Sequence, residues 1–151
     1  MFFSQDRHKM RQFFFDIWQK QASGTTPLEP MEQLIASIIE QHPEYHALLT
    51  DPDAVIDKDF TPEMGQSNPF LHMSMHIAIQ EQLATQRPKG IIDIYQALGE
   101  KCNDPHAAEH QMMEPLGDML MQAQRRNTAP DERHYLKGLR KLLKKQSNHS
   151  R

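Results

Sequence analysis

Apolar residues recur along this chain at intervals of three and four, the spacing of one face of an α-helix. Phe14 and Trp18 share a face with Phe15 beside it; Leu34, Ile35, Ile38 and Ile39 form a second stripe; Leu136, Leu139, Leu142 and Leu143 form a third. Strand-like alternation is weak and Val is almost absent, while Met, Gln, Leu, Glu and Ala, all good helix formers apart from their contexts, are plentiful. Six helical segments are predicted. The first runs from about Asp6 to Gln21 and is ended by Ser23-Gly24. The second starts near Pro27 and climbs to Pro43, which either kinks it or opens a short new helix through Leu49. Residues 50–67, TDPDAVIDKDFTPEMGQS, carry Pro, Asp and Gly punctuation and read as a loop, long enough to suggest a functional role. The third helix opens at Asn68-Pro69, a capping residue followed by a proline suited to the first turn, and runs to about Ala84. A fourth spans roughly Pro88 to Lys101, a fifth opens at Asp104-Pro105 and runs to about Arg126 across Pro115, and a sixth runs from Asp131 to Lys145. The expectation is an all-α, single-domain helical bundle over residues 1–145, four core helices with additional short and terminal ones, followed by a frayed tail at 146–151.

Composition narrows the class. At 151 residues the chain suits one domain, and 38% hydrophobic content with a net charge of −3 suits a soluble globular protein. No apolar run approaches the roughly 20 residues that span a bilayer. The start, MFFSQDRHKM, lacks the apolar core and small-residue cleavage site of a secretory signal, so a cytoplasmic location is expected. The single Cys, Cys102, excludes an internal disulfide framework and cysteine-based zinc motifs. Any metal here would have nitrogen and oxygen ligands.

The histidines supply the candidate chemistry. Six of the nine fall as three pairs at spacing four: His42/His46, His72/His76 and His106/His110. About half a pair is expected by chance at this spacing, which places two side chains one helical turn apart on one face. In the second segment Ile35, Ile39, His42, His46 and Leu49 follow one stripe, provided the helix keeps its register through Pro43. His72, His76, Ile79 and Leu83 share a stripe in the third, and His106, His110, Met113 and Leu120 in the fifth. All three pairs are therefore expected to face the core. Burying imidazoles costs free energy unless their nitrogens are partnered, and a metal ion partners them. His46 is the safer ligand of its pair because His42 abuts the proline, and His42 would then stand behind it.

Carboxylates extend the set. Glu114 lies four residues after His110 and about 80° from His106 on an ideal helix, within reach of a shared ion. Glu81, five after His76, is the second candidate; Glu40, Glu44, Glu109 and Asp16 are weaker, with Glu109 a partner for a histidine. Five or six His with one or two carboxylates exceed what one tetrahedral zinc needs and suit one or two transition-metal ions. A nitrogen-rich set without thiolate points first to iron, then to zinc or manganese.

The phrases RQFFFDIW, HPEYHALL, GQSNPFLHMSMHIAIQEQL and DPHAAEHQMMEPLGDMLMQAQR resemble, over nearly the whole chain, a family of small bacterial proteins described as a domain of unknown function. That resemblance implies a bacterial cytoplasmic helical protein. At greater distance, a His on one helix, a His pair on the next and a further His pair with carboxylates is similar to hemerythrin-like proteins. This implies a di-iron centre that binds dioxygen through His46, His72, His76, His106 and His110 with Glu81 and Glu114. The spacings depart from that family's pattern, whose His-x-x-x-Glu helix has no counterpart here. Helical metal-dependent hydrolases and transferases, which use a metal-activated water, are an equally distant analogy.

Charge adds one more feature. From Arg125 onward there are nine Lys and Arg against Asp131 and Glu132, whereas the first 124 residues are strongly acidic. The sixth segment, RHYLKGLRKLLKK, is amphipathic: a packed terminal helix with a solvated charged face, or a docking element for nucleic acid, the ribosome, an acidic partner or anionic lipid. Three functions follow as alternatives: a metal centre for redox or dioxygen chemistry, a metal-dependent hydrolase or transferase acting on a small molecule, or a non-enzymatic interaction protein with structural histidines. Oligomeric state is not encoded in these patterns.

Overall fold

The all-α class expected from the periodicity is observed. The computed structural model describes residues 7–24, 27–56, 58 and 68–149, and among them there is no strand. In chain order the helices are α1 (Arg7–Ser23), α2 (Pro30–Glu40), a single 3₁₀ turn (Pro43–Tyr45), α3 (His46–Leu49), α4 (Pro52–Val55), α5 (Pro69–Thr85), α6 (Ile91–Cys102), α7 (Pro105–Arg126) and α8 (Glu132–His149). The stretch expected as a loop at 50–67 thus contains the short helix α4; residues 57 and 59–67 lie outside the described residues, as does Asp6 at the expected start of α1. The helix at the C-terminal end continues to His149, four residues past the expected Lys145.

The helix starts follow from their capping residues. Asn68 Oδ1 accepts from the backbone N–H groups of Phe70 and Leu71 at 3.0 and 3.2 Å, Asp104 Oδ1 from His106 N at 3.0 Å, and Asp131 Oδ1 from His134 N at 3.1 Å. The ends share a different device. Gln86, Asn103 and Asn127 adopt φ of +57°, +55° and +51° just past α5, α6 and α7. After each, the next backbone N–H reaches back five residues, from Arg87 to Gln82, Asp104 to Gly99 and Thr128 to Ala123. This is the left-handed close that satisfies the orphan carbonyls of a helix terminus.

The chain packs as two compact units, Met1–Ile77 and Ala78–Arg151, the division falling within α5. In the first, α1 packs on α2 and α3 around Phe14, Phe15, Ile17, Ile35, Ile39 and Phe70. Phe70 meets Phe14 and Phe15 at ring-centroid distances of 5.8 and 5.9 Å. The least expected member of this core is Arg11, 1% exposed. Its Nη1 donates to the carbonyls of Val55, Ile56 and Lys58 at 2.8, 3.1 and 2.8 Å, and its guanidinium lies 4.9 Å from the Phe70 ring centre. A buried guanidinium needs such acceptors, and the end of α4 supplies carbonyls that lack helical partners.

In the second unit α6, α7 and α8 pack on one another. Their interior holds Ile91, Ile94, Leu98, Met112, Leu116, Tyr135 and Leu139. Tyr135 is buried, which raises the pKa of its hydroxyl, and that hydroxyl donates to Gln82 Oε1 at 2.7 Å. Pro115 sits inside α7, where a proline removes one helical hydrogen bond. A Cβ built at Gly138 of α8 would stand 3.1 Å from Pro115 Cβ, so the absence of a side chain at 138 is what admits the proline ring.

Candidate metal centre

The end of α2 creates the first histidine cluster. A residue before proline is pushed out of the helical region, and His42 accordingly takes φ −127°, ψ 66°. Of the two outcomes expected at Pro43, a kink or a new short helix through Leu49, the chain takes the second, so His42 and His46 do not share one helical stripe. Helix termination orphans the last carbonyls of α2, and the two histidines take them. His42 Nδ1 donates to the Ile38 carbonyl at 2.8 Å. His46 Nε2 donates to the Ile39 carbonyl at 2.9 Å, which also accepts from His42 N at 3.0 Å. Pro43, which has no N–H, is the residue that would otherwise have donated to Ile39.

The consequence for His42 is chemical. A carbonyl only accepts, so the hydrogen is on Nδ1, and the neutral ring carries its lone pair on Nε2. This orientation of an imidazole by a backbone carbonyl is how metal-binding histidines are commonly held. The same ring lies among the histidines of α5, with centroids 5.2 Å from His72 and 4.9 Å from His76, while His72 and His76 are 4.9 Å apart. Ring nitrogens of His42 and His76 come within 4.8 Å of each other, near enough to bind one ion. His42 is 4% and His76 1% exposed, and His72 is half-buried. Tyr45 stacks on the His42 ring at 5.4 Å with the planes 6° apart; burial, then the nearby charge of Glu44, raises its pKa, so it is a neutral phenol beside the cluster at neutral pH.

His46 goes elsewhere. Its ring packs against Trp18 with centroids 4.5 Å apart. Within this pair it is His42 that stands with His72 and His76, while His46 secures the end of α2.

In the second unit His106 and His110 lie one turn apart on α7 with ring centroids 4.3 Å apart, and their nitrogens also approach within 4.8 Å. The expectation that this pair faces the core is corrected. The buried stripe of α7 is Ala108, Glu109, Met112, Met113, Leu116 and Met119; His106 sits at its edge, half-buried, and His110 is exposed. The stripe lies about one residue away from the one read from the sequence, because Ala108 and Glu109 are buried and His110 is not. Glu114 is exposed, and Glu81 is half-buried with its backbone carbonyl accepting from Thr85 Oγ1 at 2.8 Å. Asp16 and Glu40 are exposed. The buried carboxylate of α7 is Glu109, whose charge contributes, after burial, to raising the pKa of Tyr95. Its place between apolar residues three, four and seven positions on was legible in the periodicity; Arg11, three and four before Phe14 and Phe15, carried the same signal.

A family described as a domain of unknown function (DUF1841) matches residues 6–141. The chain belongs to this family. No curated protein and no solved structure matches it. Membership in DUF1841 therefore brings a fold-length match and no chemistry, and the histidine geometry is what speaks to function. Among the described residues no helix is long and apolar enough to cross a membrane.

Proposed function

We propose that this protein binds transition-metal ions through its histidines, with His42, His72 and His76 as the principal donors. The observation that carries this reading is the His42 ring: its Nδ1 is committed to the Ile38 carbonyl, which directs the Nε2 lone pair outward from α2, and two further imidazoles of α5 surround that ring. Three imidazoles gathered this closely would repel one another as cations, and coordination of a shared ion by the neutral rings removes that repulsion. His106 and His110 on α7 offer a second donor pair, which Glu114 and Glu81 can supplement with oxygen ligands; His46 belongs to the donor set only if it leaves the Ile39 carbonyl. Imidazole donors suit iron and zinc and added carboxylates suit manganese, so the preference for iron rests on the hemerythrin-like resemblance, with one or two ions per chain. Iron in such surroundings supports redox or dioxygen chemistry, in line with the hemerythrin-like resemblance.

The test is elemental analysis of tag-free protein, with a visible spectrum. One or two irons per chain and a visible absorption band are expected, and His72→Ala/His76→Ala should lose the ion. Zinc or manganese without colour would replace the redox reading with a metal-activated water. A metal-free protein whose melting temperature is unmoved by added Fe²⁺, Mn²⁺ or Zn²⁺ would overturn metal binding altogether.

A further inference from the structure

The cations of α8 are arranged on one line. Tyr135 and Leu139 are buried against α6 and α7, with Leu136, Leu142 and Leu143 half-buried beside them. Taking 100° per residue, Arg133, Lys137, Arg140 and Lys144 fall within an arc of about 60° centred roughly 130° from that face, and span about 17 Å along the axis. All four are exposed. Among the described residues none of the four has an ion-pair partner. Asp131 and Glu132, the acids at the start of the helix, lie on the side of the buried face, so no negative charge interrupts the row. Lys141 flanks it, and Arg125 and Arg126, exposed at the end of α7, precede it in the chain.

We infer that this row is a binding surface for the phosphate backbone of double-stranded nucleic acid. Four like charges on adjacent turns repel one another, and a row of phosphates is the polyanion that relieves this. Three features select the occupant. The apolar side of α8 is occupied by its own unit, which leaves no hydrophobic face to enter a lipid surface, as interfacial helices require. The row contains no exposed aromatic, since Tyr135 is buried, so it lacks the stacking platform that single strands use. Its straight, rigid course suits the regular phosphate spacing of a duplex, read by position without regard to base sequence. The rest of the chain is acidic and confines this binding to α8.

The experiment is fluorescence anisotropy of the full chain with a labelled 20-base-pair DNA duplex, repeated with an RNA duplex and with phosphatidylserine vesicles. Four phosphate contacts should lower duplex affinity about 150-fold between 50 and 200 mM salt. Replacing Arg133, Lys137, Arg140 and Lys144 together by Gln should abolish binding at 50 mM salt, with the melting temperature and metal content unchanged. Arg133→Lys with Arg140→Lys, which preserves charge, should retain it. Failure of the wild type to bind either duplex, undiminished binding by the Gln variant, or binding to vesicles alone would overturn the inference. Metal content is read on the same samples, so the two functional readings fail separately.

Discussion

The two units place histidines in contact by different means. In the second, His106 and His110 meet because an intact helix sets residues four apart on one side, and the result is a pair at the edge of the buried stripe. In the first, His42 meets His72 and His76 because a helix stops: Pro43 ends α2, the freed Ile38 carbonyl accepts a hydrogen bond from His42 Nδ1, and the ring is turned and buried. Regular spacing brings imidazoles together cheaply, but whether they are buried depends on the face: His76 of α5 is buried and His110 of α7 is exposed. A broken helix can bury one and fix which nitrogen bears the lone pair.

The same contrast applies to the two cations that donate to backbone carbonyls, and here the largest effect is expected. Arg11 is buried and serves three carbonyls in the first unit, whereas Lys101 is exposed and donates to the Leu143 carbonyl at 2.7 Å in the second. Arg11→Met should destabilise by about 3 kcal/mol or more, since it removes three charge-assisted hydrogen bonds at a buried position, while Lys101→Met should cost about 0.5 kcal/mol or less. Equal midpoints for the two variants in urea would break the comparison.

Next come the histidines themselves. His76→Ala should weaken metal binding by roughly 100-fold, as expected when a buried donor is lost, and His110→Ala by about tenfold, in a competition titration against a chromogenic chelator. The reverse order would move the principal donors to α7. The smallest effect concerns pH. Burial holds the Tyr135 hydroxyl protonated above its ordinary range. Above a pH of about 10 the unfolded chain releases this proton and the folded chain keeps it, so stability falls as pH rises, by up to about 1.4 kcal/mol per pH unit from this group. Tyr135→Phe, which lacks the proton, should cost about 1 kcal/mol at neutral pH and lose that alkaline slope. An unchanged slope in urea melts at pH 10 and 11 would remove Tyr135 from the account.

Much of this was legible along the chain, and the misses share a cause. Asn68-Pro69 and Asp104-Pro105 marked their helix starts because a cap acts on its own first turn. The closes at Gln86, Asn103 and Asn127 were missed because glycine is the usual signal for a left-handed residue, and an amide side chain that tolerates it is written like any other polar residue. Pro43 is plain in the sequence, yet its effect on His42 depends on which donor reaches Ile38 and Ile39, a competition settled by local geometry. Arg11 and Glu109 stood within apolar stripes, but a charge there is only tolerable when distant groups meet it, and for Arg11 these are the carbonyls of a short helix more than forty residues on. The buried face of α7 is not fixed by its periodicity, because apolar residues lie on both sides of Met113 and only packing selects the side that carries Ala108 and Glu109.

Trp18 is the chain's only tryptophan, and its indole lies 4.5 Å from the ring of His46. Excited on the red edge of its absorption, where its three tyrosines do not absorb, the protein therefore emits from one fluorophore resting on the side chain that closes α2, a few residues from His42. Detachment of His46 from the Ile39 carbonyl, or a paramagnetic ion brought close to this corner, will register as a change in a single ultraviolet signal. The untouched protein carries its own optical gauge of the turn on which its histidine chemistry depends.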